Sequence, residues 1–379
     1  MTTTSDTSTS DTSTSDTSTS DTATATQSAP FSGQTTMRQA VLHQPNDLRI
    51  EEVPVPTLEP GDVLLRVDAA LLCGTDVRIY EGRKQKNVTF PTVLGHEFAG
   101  TVVDANGPLP DGVAMGDQVA VYPLVTCGEC AACRKGHENI CRNRKAFGYQ
   151  LTGGLSQFVH VPAVARQNLV PVRGVSAAEA AIIEPVACAY NGQKLANMSR
   201  AETALIVGCG PLGLIHTGLA NSFGVERVAA VDPIAGRRAM ATRFGADLVL
   251  EPGPDAAEQL NAFSDGGIDV LVMAIGRIDA LTPYLGCLAP GASVSVFAGF
   301  GADADLAVSA NDVHYNEWNI VGASSCRLDG FHAVAPMVAT GQLPVAELIG
   351  TQLPLDQAVE ALTLAGSGAD MRVGVNPWA

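Results

Sequence analysis

The stretch that decides the fold is ALIVGCGPLG, residues 204–213. It begins as a short apolar run of strand type. Gly208, Gly210 and Gly213 then fall in the pattern G-x-G-x-x-G, with Pro211 and Leu212 opening a helical segment, PLGLIHTGLANSFG. The first glycine permits a tight turn, the second lets the backbone approach a pyrophosphate, and the third lets helix and strand pack closely. The helix N-terminus would offer its unpaired N–H groups to the phosphates. The next apolar run, VAAVD (228–232), ends in Asp232. An acid there accepts from the hydroxyls of an adenosine ribose and repels a 2′-phosphate, so the pattern predicts NAD rather than NADP. Arg237 and Arg238 stand a few residues on and are the groups that could meet such a phosphate. A glycine turn made only for packing would not need the strand, the helix and the acid in this order.

Outward from this motif the rhythm continues. Apolar runs recur at 248–251, 269–276, 293–300 and 319–325, with helix-like segments such as AGRRAMATRFGA (235–246) between most of them. Continuous apolar strands alternating with helices predict a parallel sheet covered on both faces, the doubly wound Rossmann arrangement. Upstream, short apolar runs such as DVLLRVDAALL (62–72) and FAGTVVDA (98–105) are broken by Gly, Pro and Asp and predict a β-rich domain. SAAEAAIIEPVACAYNGQKLA (176–196) reads as helix behind a Ser cap. Downstream, LDQAVEALTLAGSG and MRVGVNP read as a helix and a short run that returns to the first domain.

The chain has 379 residues, 46% of them hydrophobic, and a net charge of −16, which together support two packed domains and argue against nucleic acid or an anionic membrane as a partner. Residues 1–36 stand apart: DTSTS repeats at 6–10, 11–15 and 16–20 and then decays. Such a polar tract has no apolar face to bury and is expected to be disordered. It lacks the basic start and apolar core of a secretory signal, and no run reads as a membrane span, so a cytoplasmic protein is expected. Met37 opens the folded sequence and could serve as an alternative start.

Four of the nine cysteines lie at 127, 130, 133 and 141, a C-x₂-C-x₂-C-x₇-C spacing. In a long chain without a signal peptide this predicts one tetrahedral structural zinc with no open position. His137 lies inside that lobe and reads as a surface residue. A second set is less local. LLCGTD (71–76) carries Cys73, LGHEFAG (94–100) carries His96 and Glu97, and AAIIEPVACAY (180–190) places Glu184 in an apolar setting, with Cys188 as a rival ligand. A buried carboxylate needs a partner or a metal. Read alone, Cys73 could equally be a core thiol and His96 a satisfied structural histidine.

CGTD, GHEFAGTVV, the four-cysteine lobe, EPVACA, VGCGPLG and VD occur here in one order. In that order they resemble the zinc-dependent medium-chain dehydrogenases, the alcohol, sorbitol and threonine dehydrogenase family, over residues 37–379. GHE, EP and the segment HYNEWNIVGASS (314–325) look like its polyol branch. The resemblance implies an α/β fold with a GroES-like β-rich catalytic domain at 37–187 and a Rossmann domain at 188–325. It implies that residues 326–379 return to the first domain, with the active site in the cleft between the two. It maps the catalytic zinc ligands onto Cys73, His96 and Glu184, with Glu97 as the alternative carboxylate, and so implies two zinc ions per chain. Thr75 takes the place of the hydroxyl that passes on the substrate proton. Arg237 takes that of a basic residue beside the adenine ribose, and Arg372 that of a group reaching the pyrophosphate. Where many relatives end the CG[ST]Dxx hexad in histidine, this chain has Arg78, which cannot act as an ordinary acid–base.

The expected reaction is hydride transfer between NAD and a secondary alcohol, a polyol, sugar alcohol or cyclitol, or the corresponding ketone. The resemblance also implies a homo-oligomer, dimer or tetramer. A threonine 3-dehydrogenase is the competing enzyme, and it needs a group to hold an amino-acid zwitterion. A zinc- and nucleotide-binding protein that has lost activity is the competing non-enzyme, which an intact Cys73, Thr75, His96 and Glu184 disfavour.

Overall fold

The computed structural model describes residues 33–301 and 303–379. The tail expected at 1–36 therefore lies outside the described residues up to 32. Its last residues already belong to the fold: Thr35 accepts from the N–H of Val55, and Thr36 opens the strand Thr36–Gln44.

The strands Leu248–Leu250, Arg227–Val231, Thr203–Val207, Ile268–Met273, Leu288–Val296 and Asn319–Gly322 lie side by side in that order. Every pairing in this sheet is parallel. Thr203–Val207 is buried at all five positions, as expected for a central strand covered on both faces. The helices Pro211–Ser222 and Ala235–Arg243 follow the first two strands in sequence.

The second sheet has Leu169–Pro171, Gln118–Val121, Glu97–Ala105, Val63–Leu72, Arg372–Asn376 and Ile349–Pro354 in order, with Phe158–Val161 also on Val63–Leu72. Val63–Leu72 is its axis and pairs antiparallel with Glu97–Ala105. The strand Arg372–Asn376 pairs with the same strand, Val373 opposite Leu72, and so brings the end of the chain beside the start of this sheet. Trp378 secures that return by donating its Nε1–H to the carbonyl of Val67 at 2.8 Å.

The stretch expected as one helix over 176–196 is two. Ser176 caps Ala177–Ala181 in a reciprocal box with Glu179, and a new helix, Ile183–Leu195, starts after Ile182. Pro185 explains the break: it has no N–H for the carbonyl of Ala181, and its ring would press against that carbonyl. The second helix is buried along most of its length and packs against residues of both sheets' domains, including Leu71, Tyr122, Leu219 and Phe331. It is the seam along which the two halves meet, and Glu184 sits in its first turn.

Candidate active site

Cys73 ends the strand Val63–Leu72 and caps the helix Gly74–Tyr80. Its sulfur accepts the N–H of Thr75 at 3.2 Å, and Asp76 closes the box by accepting the N–H of Cys73 at 3.1 Å. The cap thus aims the thiol and turns Asp76 inward, where it is fully buried. Asp76 also accepts from the N–H of Gly95 at 3.3 Å and lies 3.3 Å from His96 Nδ1. One carboxylate therefore fixes both segments that carry the expected ligands. It also leaves His96 Nε2 facing Cys73 Sγ at 3.4 Å.

That separation can be tested against a metal. Tetrahedral zinc with Zn–S near 2.3 Å and Zn–N near 2.05 Å separates its sulfur and nitrogen by about 3.6 Å. Ligand atoms of Cys73, His96 and Glu97 all lie within 4.8 Å of one another. Glu97 is buried, gives one oxygen to Arg372 Nη1 at 2.9 Å, and leaves Oε2 buried without a partner. A thiol, an imidazole and an orphaned carboxylate oxygen fit zinc. Burial pushes the Glu97 carboxyl up to about 7 against the pull of Arg372, and the nearby charge of Glu184 pushes the same way. For His96, burial disfavours the proton, but Cys73 and Asp76 outweigh it and hold the imidazole well above its usual value.

Glu184, expected as the third ligand, does not join this group. Its Oε1 accepts from Cys188 Sγ at 3.3 Å and lies 3.9 Å from the buried Cys326 Sγ, in a separate cluster of which Glu184 and Cys188 line the same cleft. The carboxylate stays close enough for its charge to act on Glu97. Arg372, expected at a pyrophosphate, is buried and turned to Glu97, with the carbonyl of Leu72 at 3.4 Å. Its side chain also lines the cleft, and its Nε is buried without a partner among the described residues. Asp76 and the Glu97–Arg372 pair were not assigned these roles from sequence. The Cys-x-x-Asp cap was the available signal for Asp76; nothing local announces a pair spanning 275 positions.

Thr75 and Arg78 face the cleft from the same helix. Arg78 Nη2 donates to Thr75 Oγ1 at 3.2 Å, and the Arg78 head lies against Gly299, where an added Cβ would come within 3.1 Å of Nη1. The cleft holds about 550 Å³ and reaches Leu212, Phe297 and Ala298 of the nucleotide-type half.

On that half the glycines do what their spacing suggests. A Cβ on Gly213 would fall 1.7 Å from the carbonyl oxygen of Gly208, so only glycine allows this contact between helix and strand. A Cβ on Gly210 would meet nothing within 4 Å, which leaves an open face at the helix start. Gly210 caps that helix without a side-chain bond, so its first N–H groups are not answered by a cap. Asp232 is buried and accepts from the N–H groups of Cys209 and Ile234, each at 2.8 Å. Arg238 is held by Glu251 at 3.0 Å and by the carbonyl of Asp232, and Arg237 reaches the carbonyl of Gly368 at 3.2 Å.

In the lobe, neighbouring sulfurs of Cys127, Cys130, Cys133 and Cys141 are 3.5–4.0 Å apart. A tetrahedral zinc with bonds near 2.3 Å requires an edge of about 3.8 Å. The lobe also grips the segment that ends the parallel sheet. Asn139 donates to the carbonyl of Ser324 at 2.7 Å, Glu138 accepts the N–H of Leu328 at 3.2 Å, and His137 lies 2.8 Å from Arg327.

Two family models match. Residues 59–173 fit the alcohol dehydrogenase GroES-like domain, and residues 211–340 fit the zinc-binding dehydrogenase domain. The chain is 32% identical over 329 residues to an L-threonine 3-dehydrogenase of Pyrococcus horikoshii, covering 85% of this chain and 93% of that protein. It is 29% identical over 353 residues to an erythritol/L-threitol dehydrogenase of Mycolicibacterium smegmatis, covering 88% and 95%. Among solved structures, an alcohol dehydrogenase of Thermotoga maritima superposes with a TM-score of 0.84 at 26% identity, covering 90% of this chain and 99% of that one. Likeness of this extent, across both domains and in the same order, places the chain in the zinc-dependent medium-chain dehydrogenase family, as an oxidoreductase of the alcohol dehydrogenase type.

Proposed function

We propose that this enzyme oxidises a secondary alcohol of the polyol, sugar alcohol or cyclitol class with NAD, and carries one catalytic and one structural zinc per chain. The observation that carries this reading is the meeting of Cys73, His96 and Glu97 beside Thr75, in a cleft that runs on to Leu212 and Phe297. Cys73, His96 and a carboxylate would hold the catalytic ion: Glu97 in the present arrangement, with Glu184 as the alternative across the cleft. Bound there, zinc would act as a Lewis acid on the alcohol oxygen and lower its pKa.

The chain's own residues supply the rest. Asp76 keeps the His96 ring oriented through Nδ1. Thr75 Oγ1 would accept the hydroxyl proton and release its own to solvent water in the cleft, while the alcohol carbon gives its hydride to NAD. Arg78, already donating to Thr75 Oγ1, orients that hydroxyl but cannot take a proton from it. Leu212 and Phe297 exclude water from the wall against which the nicotinamide would lie. Asp232 supports NAD over NADP, because its buried charge opposes a 2′-phosphate and Arg238 is already engaged by Glu251. The relative of P. horikoshii keeps threonine as a second candidate substrate.

Self-association through the edge strand Asn319–Gly322 is also proposed. Ile320 on that strand and Tyr315 just before it are exposed, and an unpaired strand edge is a ready template for a second copy.

The test is reduced-cofactor absorbance with polyols, cyclitols, threonine and simple secondary alcohols, using NAD and NADP. A preference for NADP would overturn the assignment of Asp232. Thr75→Val should lower turnover about a hundredfold, the lower range of proton-transfer contributions, while Thr75→Ser retains most of it. Near-normal turnover in Thr75→Val would remove Thr75 from the proton path.

A further inference from the structure

We propose that the substrate alcohol also carries an anionic group, a carboxylate or a phosphate, and that Lys84, Lys86, Arg142 and Arg144 receive it. This rests on the dehydrogenase reading above and narrows its substrate to an acidic polyol.

The whole chain has only 23 lysines and arginines against 39 acids. Yet these four line one cleft, two from the loop after the helix Gly74–Tyr80 and two from the segment that leaves the zinc lobe at Cys141. None of the four has an ion-pair partner among the described residues. The acids that share the cleft form no ion pair with them: Glu97 is bound to Arg372, and Glu184 accepts from Cys188. Arg144 uses one donor on the carbonyl of Cys141 at 2.9 Å, and Lys84 uses one on Tyr149 Oη at 3.0 Å. Their remaining donors have no bond within the described protein. Lys84 is also half-buried, and burial lowers its pKa. Arg144 is partly buried as well, whereas Lys86 and Arg142 are exposed. Like charges brought to one cleft repel one another, and an anion relieves that repulsion.

Tyr149 sets the scale between this cluster and the ligand group. The ring of Tyr149 lies 5.7 Å from that of His96, and Lys84 Nζ lies 4.8 Å from the Tyr149 centroid. Lys84 Nζ is therefore no farther from the His96 ring than those two spans laid end to end. A short polyhydroxy chain bridges such a gap, with its reacting hydroxyl at Cys73 and His96 and its charged end at Lys84 and Arg144. Cofactor phosphates do not account for the cluster. The open glycine face at Gly210 and the bare N-terminus of the helix Pro211–Ser222 belong to the opposite half, and of the cations in the cleft it is Arg78 that leans on Gly299 of that half. A neutral polyol would leave four cations in the cleft unanswered.

The test is calorimetric binding to the full-length, zinc-loaded enzyme with NADH, using sorbitol, gluconate and sorbitol 6-phosphate. Turnover of the alcohols with NAD is followed in parallel. The anions should bind about tenfold or more tightly than sorbitol, with an advantage that shrinks as salt rises. Gluconate binding best assigns the site to a carboxylate; sorbitol 6-phosphate binding best assigns it to a phosphate. In Lys84→Gln/Arg144→Gln the ratio of anion to sorbitol affinity should fall about tenfold, and the charge-keeping pair Lys84→Arg/Arg144→Lys should restore most of it. Equal affinity for all three ligands, or an unchanged ratio in the Gln pair, overturns the anion site alone, because sorbitol turnover then still supports the dehydrogenase. If no alcohol on a broad panel reduces NAD with the zinc-loaded enzyme, the dehydrogenase reading falls and the anion site falls with it.

Discussion

The two cysteine-bearing centres solve opposite problems. In the lobe, four sulfurs from fifteen consecutive residues close around one point, and their 3.5–4.0 Å spacings match the edge of a filled tetrahedron. In the cleft, one thiol, one imidazole and one carboxylate come from two segments held together by Asp76, and a buried Glu97 oxygen is left over. The first arrangement satisfies every donor and has no room for a substrate. The second is not closed: Arg372 holds one side of Glu97, and Glu184, whose charge acts on Glu97, stands apart with its own thiol partner. The difference teaches that a structural site can be local, whereas a site that must exchange ligands is assembled from distant parts of the fold.

The comparison breaks most visibly with two substitutions. Cys130→Ser opens the closed shell, where a structural zinc can contribute on the order of 10 kcal/mol to folding, so one zinc and much of the thermal stability should go together. His96→Ala should also lose one zinc and reduce turnover to background, yet melt within a few degrees of the parent. Zinc content, calorimetric melting and turnover separate the two. Retained turnover in His96→Ala, or an unchanged melting point in Cys130→Ser, would erase the distinction.

A finer test addresses the carboxylate behind the histidine. Asp76→Asn keeps the shape of the cap but weakens its hold on His96 Nδ1, and changes of this kind typically cost a metal site about tenfold to a hundredfold in affinity. Chelator competition should show one zinc released more easily and the lobe zinc unaffected. Equal loss of both ions would mean that Asp76 acts on the fold as a whole.

The smallest effect concerns a histidine that has no metal. His216 is fully buried in the helix Pro211–Ser222, its Nε2 has no hydrogen-bond partner, and burial pushes its pKa down to about 3. In the unfolded chain its pKa returns to about 6.5, so below that pH the unfolded state binds the extra proton. His216 is thus neutral in its effect above pH 6.5 and increasingly destabilising as pH falls toward 3, by about 2 kcal/mol at pH 5. Urea midpoints at pH 7.5 and 5.0 should differ less in His216→Gln than in the parent. An identical acid shift in both would mean that His216 takes up its proton as readily in the fold as in the unfolded chain, which requires an anionic partner of the kind Asp76 supplies to His96.

Much of this was legible in advance, for reasons that differ by region. Each strand of the parallel sheet is a continuous apolar run, and burial on both faces is what such a run requires. The four lobe cysteines and the glycine turn at 208–213 are local patterns, so spacing alone placed them. Pro185 was a visible breaker, overridden in reading by the alanines around it. The rest depends on the return of distant chain. Glu97 rather than Glu184 stands with Cys73 because strand register sets Leu71 opposite Glu97. Lys84 and Arg144 come to one wall because two loops converge on Tyr149, and no periodicity in either loop records that convergence.

The strand Arg372–Asn376 has a consequence for how the protein is made. The four cysteines of the lobe lie in a short window of chain, so they can come together while translation continues. Glu97 acquires its guanidinium partner only after another 275 positions have been synthesised, when the last strand slots in beside Val63–Leu72. A nascent chain stalled before Arg372 would lack the guanidinium that pairs with Glu97. The ion pair of Glu97 therefore forms only once the strand Arg372–Asn376 has been made.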